Sequence, residues 1–319
     1  MNAAVLHTLG QPPRCGEFAE PAANENEALV EVLCSSLKPI DRQLAAGTHF
    51  ASPRQLPCVC GTDGVGRLSD GRRVFFGGVR PPFGAMAQRA VVPRAFTFDV
   101  PDGVSDETAA ALPNPAVSAW LSLAYRAKLA AGENVLILGA TGVTGKLAIS
   151  IAKLMGAARV VAAGRNPQSL STLPSLGADA VISLDAPTAA LSDAFAREAG
   201  SSGFHVVIDY VWGAPAEAFF AAVTRKEFAV IRAETRFVQV GDGAGPVISL
   251  PASVLRSAAV TIMGTAGIPP LDVLTGAMRQ VFAHAATGAL RIDTERVPLG
   301  EIETAWQRQP SGRRLVIVP

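Results

Sequence analysis

Residues 135–146 constrain the fold of this chain more than any other stretch. Val135-Leu136-Ile137-Leu138 reads as a buried strand, Gly139-Ala140-Thr141-Gly142-Val143-Thr144-Gly145 as a tight turn of small residues, and Lys146, Leu147, Ile151 and Leu154 as a helix with an apolar face. Such a turn lets backbone approach a pyrophosphate closely and sets the unpaired N–H groups and positive dipole end of the next helix against it. Set on the pattern G-x-G-x-x-G, Ala140 replaces the first glycine, while Gly142 and Gly145 stand in the other two places. The following apolar strand ends at Ala163, so the unit has the length of roughly 30 residues typical of a dinucleotide-binding β-α-β element. A nucleoside-triphosphate loop is excluded, since no Gly-Lys-Ser/Thr follows at the proper distance. Ala140, Thr141, Gly142, Val143 and Thr144 are therefore expected at the cofactor.

The second strand tells which dinucleotide. An acid at its end would hydrogen-bond the ribose diol of NAD and repel a 2′-phosphate; this chain has Gly164-Arg165-Asn166. A guanidinium about 20 residues past the turn is placed to hold a 2′-phosphate, which favours NADP(H), the alternative being a solvated loop arginine.

The rest of the chain divides by texture. From residue 1 to about 113 short β-like runs alternate with Gly and Pro: Ala3 to Leu6, Ala28 to Leu37, Gly64 to Leu68, Arg72 to Gly78 and Gly84 to Val92. This spacing suggests a barrel-like β domain. Beyond about 116, apolar runs at 135–138, 160–163, 181–182, 206–208, 237–240 and 260–263 alternate with helix-length segments, which indicates an α/β doubly wound parallel sheet. A helix over 271–287 then leads to strand-like pieces at Arg291-Ile292, Arg296-Val297-Pro298 and Leu315-Val316-Ile317-Val318, expected to return to the first domain. The expected domains are 1–113 completed by 289–319, and 114–288.

With 28 Lys plus Arg against 27 Asp plus Glu and no run of like charges, a nucleic-acid partner is not expected. The stretch Thr108 to Tyr125 is free of charge, but Pro113-Asn114-Pro115 cuts it, so a buried loop plus helix is expected and no membrane span. The N-terminus has no basic start or apolar block, and a cytoplasmic location is expected. Cys15, Cys34, Cys58 and Cys60 lack C-x-x-C spacing, and Cys58 and Cys60 flank one valine as buried small hydrophobes would.

Further segments extend the pattern over nearly the full length: Met1-Asn2-Ala3-Ala4-Val5-Leu6, Leu37-Lys38-Pro39-Ile40-Asp41, Gly61-Thr62-Asp63-Gly64-Val65-Gly66, Gly71-Arg72-Arg73-Val74-Phe75, Val117-Ser118-Ala119-Trp120, Leu176-Gly177-Ala178-Asp179 and Gly312-Arg313-Arg314-Leu315-Val316. Together with the Ala140 turn they resemble the zinc-independent quinone oxidoreductase branch of the medium-chain dehydrogenase/reductases. The resemblance implies a GroES-like β-barrel domain with a Rossmann domain inserted before its last strands, NADP(H) as cofactor and a homodimer joined through the edge of the dinucleotide sheet. It also implies that Ser118 lies beneath the cofactor and that Val240, Gly241 and Met263, after the fifth and sixth strands, approach the nicotinamide. Zinc-dependent relatives carry ligands in the segments where this chain has Lys38, Thr62 and Asn114, none a usual zinc ligand.

Without a metal to polarise an oxygen, the accessible reaction is hydride delivery to an already electrophilic small molecule, an enone, enal or quinone. Lys38 and Asp41 are the catalytic candidates, with Gln43 and His49 nearby; zinc-free relatives usually carry asparagine where Lys38 stands. Lys38 could donate to a developing oxyanion, or it could form a salt bridge with Asp41 three residues on. A reductase of one particular ketone or enoyl intermediate, and a non-catalytic NADPH sensor, stay open as alternatives. Asp209, after the fourth strand, reads as a turn cap.

Overall fold

The computed structural model describes residues 1–224, 234–265, 267–308 and 312–319. In chain order it begins with β1 (Asn2–Leu6), β2 (Arg14–Glu17), β3 (Glu27–Leu37), α1 (Pro39–Ala46), β4 (Cys58–Val59), β5 (Asp63–Arg67), β6 (Arg73–Gly77), β7 (Arg89–Pro93), β8 (Thr97–Asp99) and α2 (Asp106–Ala111). It continues with α3 (Pro113–Trp120), β9 (Asn134–Leu138), α4 (Val143–Leu154), β10 (Arg159–Gly164), α5 (Pro167–Leu170), β11 (Ala180–Ser183), α6 (Thr188–Ala199), β12 (Val206–Asp209), α7 (Gly213–Val223), β13 (Thr235–Gln239), α8 (Ala252–Ser257) and β14 (Val260–Gly264). It closes with α9 (Leu271–Ala286), β15 (Thr294–Pro298), α10 (Ile302–Gln307) and β16 (Arg314–Val318).

Two compact units emerge, one made of Met1–Asn114 with Met278–Pro319, the other of Pro115–Ala277. The second division falls inside α9 rather than at 288, because the C-terminal part of that helix packs with the first unit, where Phe282 meets Phe75 edge-on.

The first unit is antiparallel apart from β15 and β16. A seven-stranded sheet runs β15-β16-β3-β5-β6-β8 with β7 also on β3, and a smaller sheet runs β2-β1-β4. β3 is the hub: it pairs with β16, β5 and β7, and a bulge between Val32 and Cys34 lets one long strand serve several partners. Val30 and Val32 face the core while Leu29 and Glu31 face out, the alternation expected of a half-buried strand. The strands β2 and β8 carry no sequence signal, because they are four residues or fewer and hold no apolar run. Conversely, Arg291-Ile292 is not strand, and the run from Gly84 becomes strand only at Arg89. Pro113-Asn114-Pro115 is the first turn of α3 rather than a loop, a place where proline's missing N–H costs nothing.

The second unit is a parallel sheet in the order β11-β10-β9-β12-β13-β14. The chain builds outward from β9 to β11, then returns to the other side of β9 at β12, so the crevice of the reversal lies beyond the C-terminal ends of β9 and β12. Val135 to Leu138 and Val206 to Asp209 are buried throughout, as strands covered on both faces must be. The core between sheet and helices is aromatic: Phe219 lies 5.6 Å and Phe220 4.8 Å from Phe237, ring centre to ring centre, and Phe195 packs edge-on against Phe219.

Candidate functional site

The turn after β9 is held by its own backbone. The N–H groups of Gly139 and Ala140 both donate to Ala163 O of β10, at 2.9 and 2.8 Å, and Gly142 N donates to Gly139 O at 3.2 Å. Gly142 is the N-cap of α4 and supplies no capping side chain, so the N–H groups of Val143 and Thr144 face outward from the first helical turn. Gly145 sits against the turn from below: a Cβ there would lie 2.4 Å from Gly139 O and 2.6 Å from the Ala140 Cα. Gly164, ending β10, would place a Cβ 2.4 Å from Thr141 Cγ2, so the Thr141 side chain occupies the space any larger residue would need. Ala140 is buried, Thr141, Val143 and Thr144 are half-buried and Gly142 is exposed. These residues fit a pyrophosphate: glycine where backbone must pass, and free N–H groups with the helix dipole behind them.

Arg165 follows at the exposed start of the next loop and makes no hydrogen bond or ion pair among the described residues. Asn166 is spent locally, its Oδ1 accepting Ser169 N at 2.9 Å as the cap of α5. Ser118 is half-buried in α3 and its carbonyl accepts the Ser122 hydroxyl at 2.8 Å, within a chain that continues into a π-helical turn over Leu121–Arg126. Val240 and Gly241 both donate to Asp209 O, at 2.8 and 3.2 Å, and Met263 lies half-buried on the edge strand β14 beside Val238. The structure thus brings the 140–145 turn, Gly164, Val240 and Gly241 to the C-terminal edge of one sheet.

Asp209 is fully buried, and its carboxylate accepts Val211 N at 2.9 Å and Trp212 N at 3.0 Å. Those bonds hold Trp212 at φ +54°, a conformation costly for any side chain but glycine. Burial pushes the Asp209 pKa up to about 6, and the N–H groups of Trp212 and Val211 pull only partly against it. The sign follows from linkage. A carboxyl whose folded pKa is raised favours the fold most below its unfolded value near 3.8, and this contribution is lost as pH rises through about 6. Asp209→Asn should therefore gain stability relative to the parent on going from pH 5 to pH 7.5, by on the order of 1–2 kcal/mol, in urea melts at the two pH values. An equal effect of the substitution at both values would contradict the assignment.

In the first unit Lys38 is 1% exposed, and its ammonium donates to Asp63 Oδ1 at 2.8 Å and Ser36 O at 2.9 Å, with Asp41 Oδ2 at 3.3 Å. All three N–H groups are thereby used within the protein. Asp41, third residue of α1, accepts Lys38 N at 2.8 Å on one oxygen and both Thr62 N and Thr62 Oγ1, at 3.1 and 3.2 Å, on the other. Burial alone would lower the Lys38 pKa; the charges of Asp41 and Asp63 and the hydrogen bonds they accept outweigh it and hold the lysine above its ordinary range. Of the two roles open to Lys38, the structure displays the salt bridge with Asp41. A second carboxylate, Asp63, reaching Lys38 from β5, completes a buried ion cluster that the spacing of Lys38 and Asp41 alone does not reveal. Gln43 is exposed, and His49 is half-buried with Nδ1 accepting Ala51 N at 3.1 Å and its ring 4.3 Å from that of Phe50, which is 95% exposed.

Of the positions compared with zinc ligands, Lys38 and Thr62 belong to this ion cluster and Asn114 is exposed. Among the described residues no three His, Cys, Asp or Glu side chains gather as a metal would need. No helix of the described residues is long and apolar enough to cross a membrane.

The fold is shared with a mycobacterial quinone oxidoreductase, which superposes over 100% of both chains with a TM-score of 0.86, at 22% identity. Residues 143–282 match the family described as zinc-binding dehydrogenase, a stretch that excludes Lys38, Thr62 and Asn114. Quinone oxidoreductase-like protein 2 of Mus musculus is 31% identical over 274 residues, covering 82% of this chain and 74% of that protein. A probable NADPH-dependent quinone reductase of Emericella nidulans is 26% identical over 361 residues and 100% of both chains. The chain belongs to the quinone oxidoreductase-like branch of the medium-chain dehydrogenase/reductases.

Proposed function

We propose that this oxidoreductase binds NADP(H) and, without zinc, delivers its hydride to a small electrophilic acceptor, a quinone or an α,β-unsaturated carbonyl. The observation that carries the cofactor half is the pairing of the 140–145 turn with an exposed, unengaged Arg165 directly after β10. The name of the Emericella nidulans relative, an NADPH-dependent quinone reductase, supports it. NADPH, when bound, supplies the hydride; the chain's own residues bind and orient. The outward N–H groups of Val143 and Thr144 hold pyrophosphate, Arg165 holds the 2′-phosphate, and Val240, Gly241 and Met263 limit the nicotinamide side.

The acceptor must already be electrophilic. Supporting this, Lys38 has no donor left, and Lys38, Thr62 and Asn114, none a usual zinc ligand, stand where zinc-dependent relatives carry the ligands of the Lewis acid that alcohol oxidation uses. The exposed edge strand β14 is where a second copy would add to form a homodimer.

Arg165→Ala should raise the NADPH dissociation constant about tenfold while leaving NADH nearly unchanged, the scale of one hydrogen bond to a charged group. Equal losses for both cofactors, measured by fluorescence titration, would refute the 2′-phosphate contact. The sequestration of Lys38 also favours a second reading, an NADPH sensor without turnover, which is distinguished by binding that no acceptor converts into oxidation.

A further inference from the structure

The segment 240–245, which follows β13, hangs by its backbone from the turn that follows β12. Val240 N and Gly241 N donate to Asp209 O at 2.8 and 3.2 Å, Gly243 N to Tyr210 O at 3.5 Å and Ala244 N to Val211 O at 2.6 Å, and Trp212 pairs with Gly245 as an isolated parallel bridge. The approach is close from end to end: a Cβ on Gly241 would lie 2.8 Å from Tyr210 O, and one on Gly213 would lie 2.6 Å from Ala244 O.

The same turn packs against the start of the glycine turn. Asp209 stands opposite Leu138 across the sheet, and Tyr210 N donates to Leu138 O at 3.1 Å. A Cβ on Gly139 would lie 2.8 Å from Val211 Cγ1 and 3.1 Å from Tyr210 Cβ. Residues 209–213 are thus a corner set between the turn that fits a pyrophosphate and the segment that bears Val240 and Gly241.

One side chain fixes that corner from within. Asp209 Oδ1 accepts both Val211 N, at 2.9 Å, and Trp212 N, at 3.0 Å, and Oδ2 lies 3.2 Å from Trp212 N. Bonds to a carboxylate are stronger than neutral ones, and these hold residue 212 at a φ of +54° that its side chain disfavours. Without the acceptor, two adjacent N–H groups lose their partner and the backbone between Gly139 and Ala244 is free to relax. We propose that Asp209 is a positioning residue for NADP(H): through residues 210–212 it sets the segment 240–245 against the glycine turn, and with it the nicotinamide half of the crevice. Its carboxyl is fully buried and acts through that backbone. The proposal rests on the NADP(H) reading of the site.

The test compares Asp209→Ala, which removes the acceptor, with Asp209→Asn, whose Oδ1 can still accept both N–H groups. Each is titrated with NADPH and with 2′,5′-ADP, which carries only the adenosine half. Asp209→Ala should bind NADPH about tenfold more weakly, the scale of one lost hydrogen bond to a charged group, with 2′,5′-ADP affinity unchanged. Asp209→Asn should restore most of the NADPH affinity. Equal losses for both ligands, or an Asp209→Ala protein that binds NADPH as the parent does, would overturn the proposal. Amide exchange of the parent protein needs no variant: NADPH should slow it across both 209–213 and 240–245, and 2′,5′-ADP across neither. Protection confined to 240–245 would overturn the proposal too, since the corner would then not share the order of the segment. A parent protein that binds neither ligand refutes the cofactor reading instead, a result separate from any behaviour of the variants.

Discussion

Lys38→Met should cost about 3–5 kcal/mol of folding stability, the price of leaving buried carboxylates without their cation. The side chains of Lys38 and Asp41 have no exposure, and that of Asp63 has 9%, so water cannot replace the lost ammonium. Methionine fills a similar volume, which isolates charge from packing. Two carboxylates that shared one ammonium would then face each other in low dielectric, with the Thr62 bonds and the Lys38 N–H on Asp41 alone and Arg314 as the cation still acting on both. Adding Asp63→Asn should recover part of the loss, because it removes the carboxylate closest to the missing Nζ. Urea melts of the single and double variants measure both. A Lys38→Met protein as stable as the parent would mean that the ammonium contributes nothing net and that the cluster is not structural.

The second large effect is expected at the turn. Gly145→Ala puts a methyl group 2.4 Å from Gly139 O and 2.6 Å from the Ala140 Cα, both backbone atoms that have no rotamer to yield. The turn must open, at a cost of about 1–3 kcal/mol, and the N–H groups that face the pyrophosphate move with it. NADPH affinity should fall at least about tenfold, equivalent to about 1.4 kcal/mol. Gly142→Ala provides the contrast. Its Cβ would meet only Gly139 O at 3.5 Å, an ordinary contact, and its φ of −76° suits alanine. The folded protein should tolerate that methyl group, yet it stands on the exposed side where phosphate would approach, so affinity should drop with stability unchanged. Loss of stability in Gly142→Ala, or normal NADPH binding by Gly145→Ala, would contradict the geometry.

The parallel sheet was legible from its sequence because its central strands, covered on both faces, are written as apolar runs; all six runs, from Val135 to Met263, overlap observed strands, the edge strands β11 and β14 being only partly buried. The glycine turn was legible for a related reason, since close backbone approach leaves few residue types possible at 145 and 164. The first unit was harder. Its strands of two to four residues carry no period, and its pairings join segments far apart, as β3 with β16. The same distance hid the Lys38 cluster. Lys38 and Asp41 stand one helical turn apart and could be paired by eye, but Asp63 arrives from β5, and only the fold shows that it takes the ammonium's shortest bond.

The proposed reaction is hydride transfer from NADPH without a metal. It is tested most directly by treating the purified protein with a strong chelator, adding NADPH, and following the absorbance of the reduced nicotinamide as a quinone or a simple enone is introduced. Steady oxidation of NADPH is expected, at a rate that neither chelator nor added zinc changes. Oxidation that stops with chelator and returns with zinc, or NADPH that binds but is never oxidised across a broad panel of acceptors, would contradict it.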